Sequence, residues 1–207
     1  MTSTQIYNKL LAEKLVAQFE KRNLEGFYCE TKEAALEKIL ELIPKDALTS
    51  CGGSVTLYEI GLREAFKNEG YNFLDPNSVI SAAEMDKVAH KALNADYFLM
   101  SSNAITEQGE LVNADGYGNR ISALIFGPKN VIVIAGLNKV VPDLDMAMQR
   151  VKKYASRMIL LKFKNDYQNL DDLDKAAESA VGQLVITKMS TVKGRIKVIL
   201  VGENLGF

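Results

Sequence analysis

Along the first 155 residues the apolar positions switch repeatedly between a period of 3.6 and short unbroken runs. Residues 5–23 set Ile6, Leu10, Leu11, Leu15 and Phe19 on one face of a helix. Gly26 breaks that pattern, and Phe27-Tyr28-Cys29 reads as a short strand. Thr31 has the hydroxyl to cap the next helix, which runs through Leu36, Ile39, Leu40 and Ile43 until Pro44 stops it. Strands are then predicted at Ala47–Ser50, Tyr71–Leu74 and Tyr97–Ser101, with helices at Val55–Asn68 and Ala82–Leu93 between them. A polar turn at Glu107-Gln108-Gly109 leads to a short strand at Leu111-Val112 and a helix at Arg120–Phe126. The unbroken run Val131–Ala135 suits a central strand covered on both faces. A helix starting at Pro142-Asp143 and reaching about Ala155 comes next.

Strands alternating with helices of this length predict an α/β fold, a three-layer α/β/α arrangement around a mostly parallel sheet. Past Ser156 the pattern changes. Met158–Leu161 is apolar, and Lys162–Asp174 is polar and acidic without strand character. Leu184–Thr187 and Ile196–Val201 are expected to pair as a hairpin through Lys193-Gly194. No repeat or low-complexity linker interrupts the chain. Residues 1–207 are therefore expected to form one domain, with an N-terminal helical part (1–43), an α/β core (47–155) and a C-terminal part (156–207) that completes it.

Composition removes whole classes of function. The 25 basic and 26 acidic residues leave a net charge of -1, which provides no footprint for nucleic acid or an anionic membrane surface. Two distant cysteines, Cys29 and Cys51, and one histidine, His90, cannot supply the four thiolates usual for an iron–sulfur cluster. No cluster and no metal site are expected in this chain, and a reducing compartment is the simpler reading. No apolar run approaches the roughly 18 residues of a membrane span, and the N-terminus lacks a basic-then-apolar leader pattern. A cytoplasmic location is expected; the oligomeric state stays open. His90 reads as a surface or packing histidine without an acidic partner, and Met85, Met100, Met146, Met148, Met158 and Met189 read as core filler.

Chemistry is expected at three loops where a predicted strand gives way to a helix, the place where open α/β sheets bind ligands. In the first, Gly52 and Gly53 let the backbone approach a ligand closely, while Ser54 and Thr56 add hydroxyls beside a helix start that favours phosphate or carboxylate. The same residues also make an ordinary tight turn capped by Ser54. The second loop runs from Ser101 to Arg120. Asn103, Thr106, Asn113 and Asn119 provide polar groups, Gly116 and Gly118 provide close approach, and Arg120 offers a bidentate clamp for an anion. Glu107 and Asp115 are the candidate proton carriers, each with a plainer role as a turn residue. In the third loop, Gly136–Asp143, Lys139 is placed to reach over an anion held by the other two.

These loops resemble a known family. Cys51-Gly52-Gly53-Ser54-Val55-Thr56-Leu57-Tyr58-Glu59-Ile60-Gly61 is similar to the GGS-x-T-x-x-E-x-G loop of the LUD (lactate utilisation, LutC-like) family. Asn103–Arg120 resembles its NA-[IV]-TE-x-G-x-[LIV]-VN-x-DG-x-GNR block. Ile125–Pro128, Gly136–Asp143 and the ending Ile199–Phe207 are similar to the later segments of the same family pattern. The resemblance implies a fold like the sugar-phosphate isomerases and CoA transferases, with the site at strand ends. It also implies a part in oxidation of lactate to pyruvate beside iron–sulfur partner subunits. A cysteine-rich segment that many relatives carry before the last strand has no counterpart between Tyr154 and Lys193, and Glu59 is expected to hold the glycine loop. Two functions are compatible with this: an accessory component that binds a small anionic ligand, or an enzyme of the isomerase or acyl-transfer type. A purely structural subunit is a third reading, with no special support in the composition.

Overall fold

A computed structural model describes residues 1–79 and 81–207. Its centre is a six-stranded sheet in the order β1 (Glu25–Cys29), β10 (Ile196–Val201), β7 (Asn130–Gly136), β4 (Tyr97–Met100), β2 (Thr49–Cys51) and β3 (Phe73–Leu74). Every neighbouring pair is parallel. The apolar run at residues 131–135 explains why β7 sits near the middle. Val131, Val133 and Ala135 point into one core, with α1 (Ser3–Lys21) and α6 (Asn119–Phe126). Ile132 and Ile134 point into the other, with α2 (Lys32–Leu42), α3 (Val55–Glu59) and α4 (Leu62–Glu69). The α/β/α layering results from that alternation, because both faces of such a strand must be covered.

β10 departs from the expected hairpin. It lies between β1 and β7, with Ile196 opposite Val131 and Val201 opposite Gly136. Val198–Val201 are fully buried on both faces, and a hairpin would leave one face to water. β9 (Gln183–Thr187), the supposed partner, belongs to a second sheet ordered β8 (Val140–Val141), β5 (Ala104–Thr106), β6 (Leu111–Asp115) and β9. Its half-exposed pattern suits an edge strand.

Other differences are local. The helix expected over residues 55–68 is two, because Gly61 takes φ 71° and restarts the chain as the cap of α4. The polar stretch Lys162–Asp174 runs into a helix, α9 (Leu170–Ala180), whose Asp171 and Asp172 complement the positive end of its first turn. On α5 (Ala82–Ala92), His90 faces a carboxylate after all. Its Nδ1 lies 2.9 Å from the Asp86 carbonyl and 3.5 Å from the Asp86 side chain, one helical turn away and exposed. Of the methionines expected in the core, only Met100 is fully buried, while Met85, Met146 and Met189 face outward.

The small sheet carries its own core, in which Ala104, Val112 and Ala114 pack against Ala147 of α7 (Leu144–Arg150) and Val151. From α7 the chain continues through a wide π-helical turn, Val151–Ala155, into α8 (Ser156–Phe163). Small sheet and helices therefore stand over the carboxyl ends of β2, β4 and β7.

Unfolding experiments distinguish this topology from the hairpin. Ile199→Ala on β10 should cost about 2–5 kcal/mol in urea unfolding, and Ile186→Ala on β9 less than about 1 kcal/mol. Similar losses for the two would contradict the central place of β10.

Candidate functional site

The three loops meet at one cleft of about 580 Å³. Arg120, at the start of α6, organises it. Its Nε donates to Asp115 Oδ1 at 2.8 Å, Nη1 to the Ser101 carbonyl at 2.9 Å, and Nη2 to Asn103 Oδ1 at 2.6 Å and the Ala114 carbonyl at 2.8 Å. A longer contact runs from Nη1 to Asn113 Oδ1 at 3.4 Å. The guanidinium is thus filled by the chain itself and fastens the end of β4 to the strands of the small sheet. The stem explains Gly52. A Cβ there would stand 3.1 Å from both Cγ and Cδ of Arg120, so the glycine is a seat for the arginine.

The carboxylate expectations separate on this geometry. Asp115 borders the cleft but both oxygens are engaged, one by Arg120 and the other by the Ile121 amide at 2.9 Å. Glu107 lies elsewhere, ion-paired to Lys14 of α1 at 2.6 Å. Thr106 is also away from the cleft; its hydroxyl donates to Glu110 Oε2 and accepts from the Glu110 amide, closing the β5–β6 turn. Gly53, Ser54, Gly116 and Asn119 border the cleft. Gly118 is outside the lining and lies against Gln183. Ser54 Oγ is occupied in capping α3 at Leu57, and α3 is only five residues long. The first loop therefore leaves no free hydroxyl at Ser54.

Lys139 is held in a 3-10 turn, Leu137–Lys139, directly after β7. Its side chain is 3 % exposed, and Nζ donates to Thr56 Oγ1 and to Ser101 Oγ, both at 2.9 Å. Those hydroxyls belong to the first and second loops. Among the described residues no carboxylate forms an ion pair with it. Burial, with the nearby Arg150 and Arg120 charges, pushes its amine down from the ordinary 10.5 to about 7, and Glu59 opposes the shift. A buried ammonium with only neutral hydrogen-bond acceptors and cationic neighbours carries an uncompensated desolvation cost.

Several contributors carried no loop signature. Glu59 holds the C-terminal segment instead of the glycine loop, accepting from the Gly206 amide at 2.6 Å. Asn138 takes the Leu205 amide on Oδ1 and gives Nδ2 to the Gly206 carbonyl. Residues 205–206 thereby roof the lysine; a Cβ on Gly206 would fall 2.6 Å from Thr56 Oγ1 and 3.3 Å from Lys139 Nζ. Arg150 sits with its guanidinium 5.0 Å from the Tyr154 ring centroid. Its Nη1 is buried without a hydrogen-bond partner among the described residues, as is Asn113 Nδ2. Asn138 in the Gly136–Asp143 segment and Gly206 in the Ile199–Phe207 ending lie in family-like stretches, which were the available signal. Arg150 had none. Neither cysteine is a nucleophile at neutral pH: burial raises both thiols, Cys51 to about 12. No group of ligand-type side chains able to hold a metal occurs among the described residues, nor does a helix long and apolar enough to cross a membrane.

The lysine leaves a stability signature. Its folded value of about 7 lies below the unfolded 10.5. Between those values the unfolded chain binds more protons, so this residue makes the fold more stable as pH rises through that window. Lys139→Met should therefore stabilise the fold by about 1–3 kcal/mol below pH 7, with the advantage shrinking toward pH 10. The check is the pH dependence of the difference in denaturant midpoint between variant and parent; a pH-independent difference would contradict the buried, cationic lysine.

Comparison with known proteins agrees with this architecture. In fold the chain is similar to a crystal structure of a DUF162 family protein from Deinococcus radiodurans at 1.70 Å resolution, with 13% identity, 95% of this chain and 98% of that one covered, and a TM-score of 0.53. No curated protein matches. A family model described as LUD domain matches residues 12–201, a span that holds the Arg120 network, Lys139 and every strand of both sheets. By that match the chain belongs to the LUD domain family.

Proposed function

We propose that the cleft binds a small anionic ligand through Lys139, and that the protein serves lactate utilisation as an accessory, LutC-like component in the cytoplasm. In this reading residues 1–207 work as one unit and iron–sulfur subunits are its partners. The observation that carries it is the lysine itself, buried between Thr56 and Ser101 with no carboxylate partner among the described residues. Arg150, with its buried Nη1 unpartnered among the described residues, adds positive charge beside it. Asn119, at the start of α6, borders the cleft with a side-chain amide that makes no hydrogen bond among the described residues, and so is available to a ligand. Arg120 and Asp115 act as positioning residues, since the chain already uses their polar groups.

An enzyme of the isomerase or acyl-transfer type is the second reading. It draws on one feature: an amine titrating near 7 is suited to moving a proton at neutral pH. It loses Glu107, which is paired with Lys14 outside the cleft.

Sulfate and pyruvate keep their charge between pH 6 and 8.5 and are suitable probes. Calorimetric titration should show binding at pH 6 that weakens at least about tenfold by pH 8.5, because the neutral amine no longer compensates the anion. Lys139→Met should weaken binding at pH 6 by about tenfold or more. Affinity that ignores both pH and the substitution would overturn the reading. Turnover of a 2-hydroxy acid or sugar phosphate by the purified chain would favour the enzyme.

A further inference from the structure

The cleft is too large and too apolar on one side for a three-carbon acid alone. Lactate has six non-hydrogen atoms, and at about 30 Å³ of liquid per water-sized group it fills roughly a quarter to a third of the 580 Å³ present. Lys139, Ser101 and Asn119 contribute polar groups to its lining. A further part of the lining is a helical path that contributes Val151, Ala155, Ile159, Leu160 and Phe163, with Ser156 and Lys162 between them. The wide π-helical turn at Val151–Ala155 is where that wall leaves the small sheet's core and becomes the side of the cleft. Val151 and Ala155 are buried, Ile159 and Leu160 half-buried, and Phe163 is 78% exposed at the rim. Apolar helical lining and a buried cation in one cleft, in a volume within the usual range for small-molecule sites, describe an amphipathic ligand.

We infer that the cleft takes an amphipathic anion: a carboxylate or phosphate head at Lys139 and an apolar body, an aromatic ring or branched aliphatic chain, lying along α8. This rests on the reading that Lys139 holds the anionic head, and it assigns the remainder of the cleft. Water against Ile159 and Leu160 is released when the body binds, so among ligands of one anionic head affinity rises with apolar area.

Calorimetric titration with two 2-oxo acids of identical head tests it: pyruvate, and phenylpyruvate. Phenylpyruvate should bind at least tenfold more tightly. Ile159→Ser should remove most of that gain and leave pyruvate affinity within twofold, which also reports that the variant is folded. Phe163→Ala, at an exposed rim position, should remove part of the gain and decides the matter if Ile159→Ser does not fold. Lys139→Met should weaken both acids. Equal affinity for the two acids, or a phenylpyruvate gain that survives both wall substitutions, would overturn the amphipathic assignment while leaving anion binding in place. Failure of both acids to bind the parent chain would overturn the anion reading and this inference together.

Discussion

The arrangement of the cleft depends on one guanidinium. Arg120 binds acceptors from the end of β4 in the large sheet, from Asn103 in the loop before β5, and from Ala114 and Asp115 in the small sheet, so a single side chain ties the two sheets together. Its charge is compensated by Asp115 and its planar fork matches several fixed oxygens, a geometry that lysine could not reproduce. Removing it would take a donor from Asp115 Oδ1, from the Ser101 and Ala114 carbonyls and from Asn103 Oδ1, which keeps only the Ala114 amide, and buried groups that lose a donor are costly. Gly52 and Asn113 are then parts of the same device. The first makes room for the arginine stem and the second contributes a more distant acceptor.

Once the sheets are clasped, Lys139 has only one place to go. β7 delivers it between the hydroxyls of Thr56 and Ser101, and Leu205-Gly206 closes above it, tied down by Glu59 and Asn138. The fold here works against its own stability, because it desolvates an ammonium among cationic neighbours and provides no ion-paired counter-charge among the described residues. Such local inconsistency is the feature that the proposed anion would offset.

How far the sequence reveals this differs from residue to residue. Val131–Ala135 announces a central strand because apolar side chains on both faces allow few other environments. Ile196–Val201 is equally apolar, yet a nearby Lys193-Gly194 turn and the short separation from Leu184–Thr187 suggest a hairpin; only the parallel register with β7 resolves it. Gly52 is legible as a position needing a small residue, but its reason lies 68 positions away in Arg120. Glu107 and Asp115 look alike as acids in polar loops, and what separates them is a long-range pairing of Glu107 with Lys14. The seat of Lys139 joins positions 83 and 38 residues away, and the apolar wall on α8 belongs to a segment whose local pattern carries no hint of a cleft. Pattern reports the period of burial; it does not report partners that are brought together by chain topology.

The most direct measurement is the titration of Lys139 Nζ by NMR in a chain labelled at lysine with 15N, with Lys139→Met to assign the signal. A midpoint near 7, moving upward when sulfate is added, is the expected result. A midpoint near the ordinary 10.5, unmoved by sulfate, would contradict a buried lysine kept without a counter-charge for an anion to complete.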